Sequence, residues 1–136
     1  TKQTYQNIDS QQREDKIVVI NQLSFPDYMK GIVETNDTEH IEKNKVMALI
    51  AKSYALFYMT PEHKHPSVPD GALYNAVDDA RIYQKYVGAG LEKTLKKRYQ
   101  ALEETKNQII LYDGYVPILP YFSCSAGFTR SGKEKR

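Results

Sequence analysis

The sequence has no tryptophan, one cysteine, and no apolar run near the roughly 20 residues that a membrane span needs. A lone Cys124 excludes an intrachain disulfide and any zinc site built from several thiolates. Charge of one sign is equally scarce. A net charge of +2 over 136 residues provides no basic patch of the kind nucleic-acid binders carry. No signal peptide opens the sequence, so export would rely on a targeting segment outside it. Nothing in it points to a cofactor.

What is present is ordinary globular material. The length suits a single domain, large enough to bury roughly two thirds of its unfolded surface without staples. Residues 1–15 are polar and read as a lead-in, 16–131 as the domain, and 132–136 as a basic tail. The tyrosine count of eleven is high, and tyrosine joins a flat apolar face to a hydroxyl, which suits sugars as well as half-buried packing.

The β-branched run Lys16–Ile20 predicts a strand. Ser24, followed by Phe25 and Pro26, predicts a short helix running to about Val33. From Glu39 to Met59 no Gly or Pro interrupts, and Ile41, Val46, Ile50, Ser53 and Phe57 recur at helical spacing, which predicts a mostly buried central helix. Three prolines between Thr60 and Ala76 make a long loop. A short helix is expected from Asp78 to Tyr86, and an amphipathic one from Glu92 to Lys106 with Leu95, Tyr99 and Leu102 inward. Asp113-Gly114 between two apolar runs predicts a tight hairpin turn, with Pro117 placing the second strand at an edge. These elements imply an α+β single domain, its central buried helix packed on a small, largely antiparallel sheet.

Glu34 stands where two helices meet, beside the start of the long one. Ile32, Val33 and Ile41 around it would partly dehydrate its carboxyl, an environment that raises a pKa and suits a group that donates a proton and later recovers it. A surface glutamate at a helix corner is the plain alternative. Asp37 and Glu39 are near enough to offer a second carboxylate, although helix capping explains them as well. His63 and His65 suit a loop ligand pair, but no third ligand is identifiable, so no metal is expected. The hydroxyl-rich segment from Tyr121 to Thr129 can present donors to a polar ligand, or form a plain turn.

Four runs, taken in order, resemble the SpoIID/LytB family (stage II sporulation protein D-like). They are VINQLSFPDYMKGIVETND (19–37), IEKNKVMALIAKSYALFYM (41–59), DDARIYQKYVGAGLE (78–92) and YDGYVPILPYFSCSAGFTRS (112–131). The resemblance implies a lytic transglycosylase. Such an enzyme cuts stem-peptide-stripped peptidoglycan between N-acetylmuramic acid and N-acetylglucosamine and leaves a 1,6-anhydro end.

By this resemblance the catalytic glutamate falls on Glu34, because counting back from Ser53-Tyr54-Ala55-Leu56 keeps the family spacing. A later gap would put Asn36 there and leave the domain inactive. Lys52 stands where most members have arginine. With Gln84, Tyr86, Tyr121, Ser123, Ser125, Gly127 and Thr129 it is expected to line the sugar groove. Ala126 replaces the first glycine of the family's "SGG" turn, and Tyr83 occupies a cysteine position of zinc-binding members, so their metal is not implied. Family domains also continue into a tryptophan-containing segment, so a truncated end is an expectation. The implied partners are glycan strands and other cell-wall hydrolases, and the implied location, after export, is extracellular or in the cell envelope. The other branch of the family implies a different role, a non-catalytic module that assists a separate amidase.

Overall fold

The computed structural model describes residues 12–13, 16–88, 90–121 and 127–128. Its elements are β1 (Gln12–Arg13), β2 (Lys16–Ile17), α1 (Phe25–Gly31), α2 (Ile41–Met59) and α3 (Lys96–Glu104).

Local chemistry sets the helix starts. The Ser24 hydroxyl accepts the Asp27 N–H at 3.3 Å and donates to the Asp27 carboxylate at 2.7 Å, while Pro26 fits the first turn, where its missing N–H costs nothing. Extended backbone at Ile32 ends α1. At the head of α2 the cap is His40, whose Nδ1 accepts the Glu42 N–H at 3.3 Å. The side of α2 that packs inward carries Asn44, Ala48, Ala51, Lys52, Ser53 and Ala55. Small residues there let α1 and α3 approach closely. Val46, expected on this stripe, is 54% exposed instead. The core gathers Met29, Ile32, Ala51 and Ala55, flanked by Phe25, Tyr28, Met59, Tyr86 and Leu102.

The expected fold class is corrected: the described chain is helical, and α2 packs on helices rather than on a sheet. Among the described residues, strand pairing amounts to the two-residue antiparallel contact of β1 with β2 and two isolated bridges. Lys16–Ile17 form β2, but Val18 to Ile20 lie outside it. Asp113-Gly114 does turn tightly, with φ of 49° and 81°, and Tyr112 and Tyr115 exchange both backbone hydrogen bonds at 2.9 and 3.0 Å. The pairing goes no further. Pro117 and Pro120 supply no N–H, and Ile109, Leu111 and Ile118 are exposed, so neither flank has an apolar face to bury. The helix expected over Asp78 to Tyr86 is a series of turns. No helix among the described residues is long and apolar enough to cross a membrane.

Two buried cations tie the helices together. Lys52 of α2 is 6% exposed, and its ammonium donates to Thr105 O at 2.7 Å, Lys106 O at 3.2 Å and Gln108 O at 2.9 Å, just past the end of α3. Arg98 of α3 is 5% exposed and donates to Met29 O at 2.8 Å and Lys30 O at 2.9 Å, at the end of α1. Each charge thus meets carbonyls at the negative end of a neighbouring helix.

Gly31 ends α1 against the ring of Tyr86, and a Cβ built there would overlap that ring. The ring is itself stacked on Tyr28, with centroids 5.7 Å apart and planes 7° from parallel. Gly31→Ala is therefore expected to cost about 1–3 kcal/mol, the usual penalty of overpacking, read as a lower denaturant midpoint at unchanged slope.

Candidate functional site

Glu34 is delivered by a short crossing of two segments. After α1 the chain extends, and Gly31 to Val33 run antiparallel to Lys85–Val87: Val87 N donates to Gly31 O at 2.9 Å, and Val33 N donates to Lys85 O at 2.9 Å. The Lys85 N–H is taken by a side chain, since Glu34 Oε1 accepts it at 2.7 Å. Beyond Glu34 the loop is pinned to α2. The Thr35 hydroxyl donates to Asn44 Oδ1 at 2.6 Å, and the Asn44 amide, 1% exposed, reaches Glu39 O and His40 O at 3.4 and 3.3 Å. The carboxylate is half-buried as a result.

Phenols surround it. Burial pushes the Tyr28, Tyr54 and Tyr121 hydroxyls above the usual tyrosine range, and the nearby Glu34 charge pushes each of them further. Burial also raises Tyr83. Such phenols remain protonated and serve as donors. Tyr54 meets Tyr83, Tyr121 and Tyr58 edge to face, with centroids 5.6, 6.2 and 5.0 Å away. Tyr28 donates to Gln84 Oε1 at 3.0 Å, and Gln84 Nε2 donates to Ala51 O at 2.9 Å. Behind the carboxylate, Arg98, Thr35 and Asn44 share with it a crevice with room for about one water. Burial lowers the Arg98 pKa, against the opposing pull of Tyr99 and Glu34.

The residues expected to form the groove are thus distributed unevenly. Gln84 and Tyr121 come to the neighbourhood of Glu34 and the Tyr86 ring packs over Gly31, but Gln84 is 1% exposed and committed to protein partners. The three donors of Lys52 are all spent on carbonyls at the end of α3. Gly127 is exposed at φ 88°, and Ser123, Ser125 and Thr129 lie outside the described residues. Asp37 caps α3, accepting the Arg98 N–H at 3.1 Å, and Glu39 pairs with Lys43 at 2.8 Å. No three His, Cys, Asp or Glu side chains among the described residues cluster as metal ligands.

Sequence reasoning passed over Asn44, Arg98, Tyr54 and the Lys85 amide. Asn44 and Arg98 carried a weak signal, a polar residue on the inward face of its helix. The amide carried none.

Comparison with known proteins decides the family: the family model described as stage II sporulation protein, SpoIID, matches residues 13–112. The chain belongs to the SpoIID family. Every SpoIID residue placed around Glu34 above, except Tyr121, lies inside the matched span. An uncharacterized protein of Brachyspira hyodysenteriae is 32% identical over 116 residues, which are 83% of this chain and 28% of that protein. The chain therefore spans little more than a quarter of that relative. No solved structure matches it.

One titration can be followed in this domain. His65 packs edge-on against Tyr58 and Tyr83, with centroids 4.7 and 4.9 Å away, and its Nδ1 lies 2.6 Å from the Ser67 hydroxyl. Tyr54 faces it as well, at 6.4 Å. Burial holds its pKa below the ordinary 6.5. The unfolded chain therefore takes up this proton first as the pH falls, and the stability present above 6.5 is lost on acidification. The thermal midpoint is expected to drop as the pH falls below about 6.5, and His65→Phe to flatten that part of the curve.

Proposed function

We propose that this SpoIID domain is a lytic transglycosylase acting on peptidoglycan glycan strands stripped of stem peptides, with Glu34 as its acid and base. The observation that carries the reading is the half-buried Glu34, its carboxylate held by the Lys85 N–H at 2.7 Å among half-buried phenols. A backbone N–H can only donate, so Oε1 acts as an acceptor and the proton to be delivered belongs on Oε2.

The chemistry needs one such group. Glu34 gives its proton to the glycosidic oxygen as the bond to the anomeric carbon of N-acetylmuramic acid breaks. The 6-hydroxyl oxygen of the same sugar then bonds to that carbon, and its proton returns to Glu34. The carboxyl is restored, no water is consumed, and the cut end is a 1,6-anhydro sugar. A second carboxylate, which ordinary glycoside hydrolysis requires, has no task here. The commitment of Asp37 and Glu39 to α3 and to Lys43 agrees with that. Tyr54 and Tyr121 supply hydroxyl donors and flat faces for sugar rings. Because peptidoglycan lies outside the membrane, the proposal includes export.

The test is to incubate the protein with stem-stripped glycan strands and weigh the products. Fragments lighter by one water than hydrolysis products are expected. Intact strands that are nonetheless retained by the protein would sink the proposal and favour a non-catalytic module that assists an amidase.

A further inference from the structure

Gln84 lies beside the proposed catalytic carboxylate, yet it cannot touch a substrate. It is 1% exposed, and its amide bonds inward to two helices. Its Nε2 donates to Ala51 O in α2 at 2.9 Å, and its Oε1 accepts the hydroxyl of Tyr28 in α1 at 3.0 Å. The peptide that leaves Gln84 carries the Lys85 N–H bound to Glu34 Oε1, and the carbonyl of Lys85 accepts the Val33 N–H at 2.9 Å. One buried amide therefore anchors the backbone that holds Glu34 from both sides.

The geometry points to Gln84 as a positioning residue: it fixes the 84–85 peptide against α1 and α2, and so sets where the Glu34 carboxylate stands. The inference rests on the reading of Glu34 as the acid and base. It differs from a groove-lining role in what it predicts. A side chain that binds sugar changes KM when it is lost, whereas one that aims the acid changes kcat and leaves KM alone.

Gln84→Met keeps the volume and removes both hydrogen bonds. On stem-stripped glycan strands its kcat should fall about 10- to 100-fold with KM within about twofold, because a misplacement near 1 Å is worth about that much. Tyr28→Phe removes only one of the two anchors and should lower kcat about three- to tenfold in the same manner. Hydrogen exchange of the Lys85 amide provides a readout independent of cleavage. Its protection should be lost in Glu34→Ala, and also in Gln84→Met with Glu34 intact. A rise in KM at wild-type kcat, or a Lys85 amide still protected in Gln84→Met, overturns the inference. If Gln84→Met fails to fold, an unchanged kcat in Tyr28→Phe does the same. If the unaltered protein cuts no glycan, the proposed reaction fails, and the exchange experiment still decides whether Gln84 holds the carboxylate.

Discussion

Glu34→Gln is expected to abolish anhydro-product formation, lowering the cleavage rate by about two to four orders of magnitude, the span typical of removing a general acid and base. The fold should be indifferent to it. The amide oxygen that replaces the carboxylate would still accept the Lys85 N–H now bound at 2.7 Å, and the crossing of Gly31 to Val33 with Lys85–Val87 does not involve the side chain. The measurement pairs two numbers on one sample: turnover of stripped glycan and the thermal midpoint. A dead variant with an unaltered midpoint identifies a chemical role. If instead both fall together, Glu34 is a structural acceptor for the Lys85 amide and the acid must be sought elsewhere. Retained turnover removes Glu34 from the mechanism.

The second large effect concerns Lys52. Its ammonium satisfies three carbonyls past the end of α3, at 2.7, 3.2 and 2.9 Å, and it sits at 6% exposure. Lys52→Met keeps the stem in place but leaves those carbonyls facing a thioether. Leaving buried acceptors without their donor costs about 1–3 kcal/mol. At this size that lowers the thermal midpoint by roughly 3–10 °C. Burial lowers the pKa of the ammonium, the cost of keeping a charge inside. Lys52→Arg presents several N–H donors in the same place and should recover most of the loss. A midpoint in Lys52→Met within a degree or two of the parent would refute the account. If Lys52 met the glycan instead, KM would rise while the midpoint stayed put.

The long helix and the turn at Asp113-Gly114 were legible because each is governed by a local rule, uninterrupted periodicity in one case and positive φ in the other. The position of Glu34 between α1 and α2 was legible from the helix signals on either side of it. The sheet was misread because β-branched and apolar runs look alike whether or not a partner strand exists, and pairing is settled far along the chain. Lys52 and Gln84 show the same limit for the site. Their types suit a sugar groove, but only the folded chain reveals that Thr105, 53 residues from Lys52, and Ala51, 33 residues from Gln84, already occupy their donors. The Lys85 amide is a backbone group and leaves no trace in residue identity.

Helix α3 takes a partner from elsewhere in the chain at each of its ends. Leu95 at its start offers no capping side chain, and the Arg98 N–H there is met by Asp37 from the loop after Glu34; past its other end waits Lys52 from α2. At nine residues it is also shorter than the roughly 12–15 that an isolated helix needs to persist in water. Its coil is therefore a product of assembly: packing and borrowed partners, rather than its own length, keep these residues wound, and unwinding α3 would also take from Asp37, three residues beyond Glu34, the N–H that it accepts.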